Sequence, residues 1–362
     1  MVHLYALPIS GGFFPSQLAM VEWMNESKII PDICLASSGG NVTAYIAMAS
    51  QWNSASMRKI IPYLSNKIFV RSWFPDYLPY LPSLLRGYFL GSFLNVSSRF
   101  YTFFNTLFNS TTVQRTEIWS GTFNKSRGMT QLFCNKGQGT SMVHDDNKSN
   151  NELLNYLPFT YLDGDLENLA KVCFASAAVP VVFPPIIIRG ESHTDGGNSF
   201  SSPLTPMKDA LITSFKGQTL HLTYITPHNI NAPKLDVCYP PVEGGVEKMN
   251  LAANYGNATT AGGSMYSQGK YAISELLKSS YLQDRLAGLE VVGITVKSLF
   301  IEKIVSLEEF IQLQQSRLKT HRSFMEIYPL NDKNISIVDF TGQDILDIMN
   351  SQTHVGVRLW TL

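Results

Sequence analysis

Residues 32–50 read Asp32-Ile-Cys-Leu-Ala-Ser-Ser-Gly-Gly-Asn-Val-Thr-Ala-Tyr-Ile-Ala-Met-Ala-Ser50, and this stretch decides the fold. Asp32–Ala36 is an apolar run of strand length. Ser37-Ser38-Gly39-Gly40 is a tight turn, and Asn41–Ser50 continues as a helix. The same order stands one unit earlier. Val2–Pro8 predicts a buried strand and Ser10-Gly11-Gly12 a turn. Gln17–Glu26 predicts a helix with Leu18, Val21 and Met24 at helical spacing, stopped by Pro31. Two successive units of strand, glycine turn and helix predict parallel strands joined by crossover helices, an α/β fold around a mostly parallel sheet.

Working outward, Glu117–Phe123 and Gly128–Phe133 predict two strands joined by a polar turn, and Gly137–Asn151 a polar loop. Asn168–Ala178 predicts a helix cut off by Pro180, Pro184 and Pro185, followed by strands at Ile186–Arg189 and Leu220–Ile225. Pro240–Gly245 is a turn. Beyond it, Tyr266–Leu277, Ser306–His321 and Gln343–Asn350 predict helices, Leu289–Val296 and Ile335–Phe340 strands. Ser306 and Glu309 have the spacing of a capping box. With no internal repeat and no linker, residues 1–362 are expected to form a single α/β domain. Its core motifs lie in 1–230, an aromatic helical insertion in 67–110 and a C-terminal extension in 240–362.

Composition removes several classes of function. The 28 Lys and Arg balance 28 Asp and Glu, so the chain lacks the basic footprint that nucleic-acid binding needs, and nucleic acid is not an expected partner. Hydrophobic residues reach 44%, enough for a sizeable core, which excludes a disordered chain. Charged residues are only 15%, against about 25% in an ordinary domain, leaving apolar surface to place in the core or against lipid. Cys34, Cys134, Cys173 and Cys238 lie far apart without metal-ligand spacing, so reduced, buried thiols are expected and no metal site. Met1–Ser10 lacks the basic start of a signal peptide, and no run approaches the ~18 apolar residues of a membrane span. The expected location is the cytoplasm, with no secretion and no membrane span, and peripheral membrane association stays open. Residues 69–108 hold thirteen aromatics in forty positions, which fits either a lid or membrane-docking patch, or packing over the core.

Three short motifs carry chemistry. In Ala36-Ser37-Ser38-Gly39-Gly40 the residues two before and two after Ser38 are small, as the sharp turn of a nucleophile elbow requires. A serine there sits at a helix N-terminus, where free N–H groups favour developing negative charge. Ser10-Gly11-Gly12-Phe13 can bring bare backbone amides close to a ligand, as an oxyanion hole requires. No Lys follows in P-loop spacing, which excludes that motif. Asp195-Gly196-Gly197 can aim a carboxylate into a site from a tight turn, although a lone Asp-Gly is also ordinary turn chemistry. His193 lies on the same strand face as Asp195 by alternation and reads as structural or at a rim. A Ser–Asp–His hydrolase would need His221, His228, His321 or His354.

In this order the three motifs resemble the patatin-like phospholipases. The most specific stretch is Phe174-Ala-Ser-Ala-Ala-Val-Pro-Val-Val-Phe-Pro-Pro185, running into Thr194-Asp195-Gly196-Gly197 and Ser202-Pro203. The likeness is strong over Leu4–Ala49 and Glu117–Ile225 and nearly absent after Pro240. It implies a three-layer α/β fold and a phospholipase A type acyl hydrolase acting on phospholipid or another lipid ester without a cofactor. It also implies a Ser38–Asp195 dyad, with the backbone amides of Gly11, Gly12 and Phe13 as oxyanion donors and Ala36, Gly40, Gly196 and Gly197 supporting the motifs. Where the family has a basic residue and a further glycine after its glycine run, this chain has Phe13-Phe14-Pro15-Ser16. That departure motivates the alternative, a patatin-fold protein that has lost catalysis and binds lipid or a partner.

Overall fold

The computed structural model describes residues 1–65, 70–71, 95–96, 98–108, 116–143, 156–178, 183–198, 200–230, 281–295, 298–331, 333–335 and 340–362. Among them, eleven strands form one sheet. They are β1 (Val2–Leu7), β2 (Ile33–Ser37), β3 (Glu117–Asn124), β4 (Met129–Cys134), β5 (Tyr156–Tyr161), β6 (Ile186–Ile188), β7 (Glu191–Asp195), β8 (Leu220–Ile225), β9 (Leu299–Val305), β10 (Arg322–Pro329) and β11 (Val355–Thr361). The order across the sheet is β9-β11-β10-β8-β1-β2-β3-β4-β5, with β7 joined to β3 and β6 joined to β7. The five strands from β10 to β3 run parallel. Antiparallel pairs bring in β9 and β11 on one side and β4, β7 and β6 on the other.

The helices are α1 (Phe14–Glu26), α2 (Gly39–Ala49), α3 (Ser54–Ile60), α4 (Ser98–Leu107), α5 (Leu166–Ser176), α6 (Leu204–Ser214), α7 (residues 281–292), α8 (Leu307–Arg317) and α9 (Gly342–Asn350). The central strands are buried at nearly every position because helices cover both faces. Tyr5, Leu7, Cys34 and Ala36 enter a core shared with α1, α2, α4, α5, α8 and α9. Their neighbours Leu4, Ala6, Ile33 and Leu35 enter a second core with α6 and α7. The result is three layers around an open, twisted sheet.

Register places the functional loops together. Leu7 pairs with Ala36 and Ser37 with Gly121, so β1 and β2 end side by side. The flank of β3 that β2 occupies up to Gly121 is taken from Thr122 onward by β7, which runs the opposite way and ends with Asp195 beside Thr122. The other flank of β3 belongs to β4. The ends of β2 and β7 therefore meet head to head along one strand, which sets Ser38 against Asp195.

Several expectations need correction or fall elsewhere. The strand expected at Leu289–Val296 is not one: residues 289–292 complete α7. Tyr281, Ala287, Val291 and Val292 bury one face of this helix in the second core. Gly293 (φ 69) ends it, with the N–H groups of Gly293 and Ile294 returning to Glu290 and Leu289, a glycine C-cap. The sequence reading names no strand at β5, β9, β10 or β11, and it touches β7 only through the strand face shared by His193 and Asp195. The capping box at Ser306 and Glu309 is formed in full. Cys34, Cys134 and Cys173 are buried free thiols. Cys238, Pro180, Pro240–Gly245, Tyr266–Leu277, residues 336–339 and most of 67–110 lie outside the described residues. Of the aromatic segment, Val70–Arg71 pairs with Asn95–Val96. In and just beyond α4, Phe104 and Phe108 are buried, and the Phe108 ring packs at a tilt on both Phe104 and Tyr45, so this end of the segment packs on the core.

Candidate active site

Ser38 closes β2 and precedes α2 with φ 54 and ψ −132, left-handed backbone that only glycine adopts without strain. Strain of this kind costs about 1–3 kcal/mol and persists where the surroundings over-determine it. Here the Ser38 N–H donates to Ser176 Oγ at 2.9 Å, and Ser176 in turn donates to the Gly121 carbonyl at 2.6 Å. The Asn41 N–H closes on the Ser38 carbonyl at 2.9 Å. Gly40 is required by a close approach: a Cβ there would stand 2.4 Å from the carbonyl oxygens of both Leu7 and Pro8. α2 therefore starts hard against the end of β1, and Ser38 is held at its N-terminus, where unsatisfied N–H groups gather.

Ser38 Oγ donates to Asp195 Oδ2 at 2.7 Å, across 157 residues of chain. The other carboxylate oxygen, Oδ1, accepts the Gly197 N–H at 2.7 Å, and the Asp195 N–H is tied to the Ala178 carbonyl at 3.0 Å. Ser38 is 3% and Asp195 6% exposed. Burial pushes the Asp195 carboxyl up to about 7, even though the bonds from Ser38 and Gly197 favour its ionised form. A carboxylate so placed can exchange a proton with a hydroxyl near neutral pH, where an ordinary aspartate is far too weak a base.

The glycine loop lies alongside. Residues 11–13 form one 3-10 turn, in which the Phe13 N–H donates to the Ser10 carbonyl at 2.9 Å. The Phe13 N–H is thereby committed within its own turn, whereas those of Gly11 and Gly12 are not. Among the described residues, neither of their N–H groups has a protein acceptor. A Cβ built on Gly39 would lie 2.9 Å from the Gly11 nitrogen and 2.3 Å from Ser10 Oγ, so the loop touches the first residue of α2. Ser10 Oγ is buried with no hydrogen-bond partner among the described residues. The loop is anchored from behind by Ile335 N–H to the Gly12 carbonyl and Ile9 N–H to the Ser201 carbonyl. Pro15 occupies the first turn of α1, where a missing N–H costs nothing.

A family model for patatin-like phospholipases matches residues 9–208, more than half of the chain and all three motifs. The chain belongs to the patatin-like phospholipase family. That is a family of lipid acyl hydrolases, which makes a lipid the class of substrate. Among curated proteins none matches the chain. No helix among the described residues is long and apolar enough to cross a membrane.

The histidines of this patatin-like chain stand apart from the pair. His193 is buried, faces Thr122 Oγ1 at 3.0 Å and packs edge-on against Phe133. Burial lowers it to about 4, which keeps it neutral. His221 faces Ser323 Oγ and stacks on His3, while His228 packs its ring on Phe13. His321 and His354 are exposed, beside Thr219 and Thr353. None of the five hydrogen-bonds Ser38 or Asp195 among the described residues.

The motif A-S-x-A contains Ser176, yet its sequence gives no hint that this hydroxyl would hold the elbow. Asn41 was likewise passed over: its Oδ1 accepts from Ser120 Oγ at 2.8 Å, which also meets Tyr45 Oη at 3.2 Å under α2. An amide side chain at the first turn of a mostly apolar helix is the available signal.

Proposed function

We propose that this protein is a phospholipase A type hydrolase that cleaves fatty-acyl esters with a Ser38–Asp195 dyad. The observation that carries the reading is the 2.7 Å bond from Ser38 Oγ to a desolvated Asp195, made at a strained elbow and beside two unpartnered glycine amides. Ser38 Oγ attacks the acyl carbonyl carbon as its proton passes to Asp195 Oδ2. The negative charge that develops on the carbonyl oxygen is received by the N–H groups of Gly11 and Gly12 and by the positive end of α2. Loss of one such donor typically costs about 3 kcal/mol of transition-state stabilisation, so these amides account for a large part of the rate. The intermediate collapses, the ester C–O bond breaks, and the leaving alkoxide takes the proton from Asp195. Water then gives a proton to Asp195 and attacks the acyl-enzyme, and Ser38 recovers its proton as the fatty acid departs. We place this work at a lipid surface, since the substrate resides there.

The test is release of fatty acid from phospholipid micelles by the wild type and by Ser38→Ala and Asp195→Ala. Both substitutions should abolish it, and substantial activity in either would refute the dyad. A fluorophosphonate probe should label Ser38 covalently. A folded wild type that hydrolyses no lipid ester and takes no label would leave the non-catalytic lipid-binding reading.

A further inference from the structure

The residues around Asp195 are held by a group outside the region the family model matches. Asp284, on α7, is buried at 1% exposure and no Lys or Arg pairs with it among the described residues. Instead it collects four hydroxyls. Ser201 Oγ, Ser202 Oγ (2.9 Å) and Tyr224 Oη (2.8 Å) donate to Oδ2, and Thr205 Oγ1 donates to Oδ1 at 2.5 Å. An ionised carboxylate has about four good acceptor positions, and the hydroxyls replace the water it lost on burial. The four hydroxyl bonds favour the ionised form, against burial, which pushes the carboxyl up.

The donors are not a random set. Ser201 and Ser202 lie four and five residues beyond Gly197, Thr205 stands in the first turn of α6, and Tyr224 lies near the end of β8. The backbone of Ser201 reaches the other half of the site, since its carbonyl accepts the Ile9 N–H at 2.7 Å immediately before Ser10-Gly11-Gly12. Tyr281, one turn before Asp284 on the same helix, packs its ring on Tyr224 and is buried beside Ile9 in the second core. One residue, Ser201, thus joins the loop that follows the base to the loop that presents the amides, and Asp284 fixes it from the opposite side.

We infer that Asp284 is a positioning residue for the proposed reaction, a buried carboxylate from the C-terminal part of the chain that sets the Gly11 and Gly12 amides in register with Ser38 and Asp195. The inference rests on the dyad reading and adds a role for the chain beyond residue 208. Asp284 touches no substrate and acts through Ser201.

The test compares Asp284→Asn and Asp284→Ala with Phe310→Leu. Phe310 is a core residue packed on Trp23 at the far end of α1, and its substitution supplies a matched loss of stability away from the site. Each protein is assayed at a temperature where circular dichroism reports it folded. The readouts are kcat, KM and the rate of fluorophosphonate labelling of Ser38. In Asp284→Asn the amide oxygen takes the place of Oδ2 while the amide N–H faces Thr205, whose hydroxyl can turn to accept, so this variant is expected to fold. It should lose about tenfold in kcat, and Asp284→Ala about a hundredfold, the scale of an ångström misplacement in an active site. KM should stay nearly constant, and labelling should slow in step with kcat. Phe310→Leu should keep the wild-type rates. Folded Asp284→Asn with wild-type kcat and labelling would overturn the inference while leaving the dyad intact. So would equal losses in Phe310→Leu. A wild type that takes no label at Ser38 would instead remove the dyad reading, and this inference with it.

Discussion

Replacing Asp195 by Asn should make the protein more stable and inactive, and the gain should depend on pH in a defined way. The Asp195 carboxyl stands near 7 in the folded state against an ordinary 3.8. At about 1.4 kcal/mol per pH unit, ionising it in place costs about 4 kcal/mol more than in the unfolded chain. Below pH 4 both states hold the proton and nothing is lost. Between pH 4 and 7 the unfolded chain is ionised while the folded one keeps its proton, so stability falls as pH rises. Above 7 the folded carboxylate is charged as well and the loss is complete. Asparagine never ionises. Its Oδ1 can accept the Gly197 N–H as the native Oδ1 does, and its amide can donate to Ser38 Oγ. Urea denaturation of both proteins from pH 4 to 8 should show a stability difference near zero at the acid end, growing to about 4 kcal/mol at pH 8. Taking the difference cancels every other titrating group. A gap that stays flat across this range, or a wild type that gains on the variant as pH rises, would refute the placement of a desolvated carboxyl at this point. The same titration should appear in catalysis as an ascending limb of kcat/KM with its midpoint near 7.

Ser176→Ala removes the acceptor for the Ser38 N–H and the donor to the Gly121 carbonyl. It should cost about 1–3 kcal/mol in urea denaturation and slow fluorophosphonate labelling, because the elbow loses its tether. Gly40→Ala forces a methyl group within 2.4 Å of two backbone oxygens that cannot withdraw, so a loss of about 3 kcal/mol or more is expected in thermal or urea melts. His228→Phe exchanges a buried imidazole with an unpartnered Nδ1 for a ring of similar shape. Stability should change by under about 1 kcal/mol and fatty-acid release should persist, whereas a Ser–Asp–His mechanism through His228 would lose it.

Much of the site was legible because it is local. The elbow, the glycine loop and the Asp195 turn each lie within five residues, and their requirement for small side chains is written in the residue types. The order of strands and helices up to Ala49 followed from apolar runs punctuated by glycine. What stayed hidden depends on partners far away in the chain. β7 reads as a polar stretch, Glu-Ser-His-Thr-Asp, because it is an end segment beside β3 rather than a central strand. β11 carries period-two apolar residues at Val355, Val357 and Leu359, and a preceding Thr-His turn masked its start. The run at residues 289–296 looked like a strand because its apolar residues are contiguous. The helical phase becomes visible only from Tyr281 and Ala287 onward, together with Gly293 as a stop. The closure of the glycine loop into a 3-10 turn, which takes up the Phe13 N–H, leaves no mark in the residue types. Asp284 has no local signature at all, since its four hydroxyl partners lie 60 or more residues away.

The shared flank of β3 acts as a ruler for the Ser38–Asp195 pair. Alcohol and acid belong to different segments, yet each is measured off against the same strand, at Gly121 and at Thr122. A single residue inserted between these two would push the acid one step of about 3.3 Å along the rail and turn the following side chains to the opposite surface. The gap between Ser38 and Asp195 is therefore encoded in a strand that supplies neither of them.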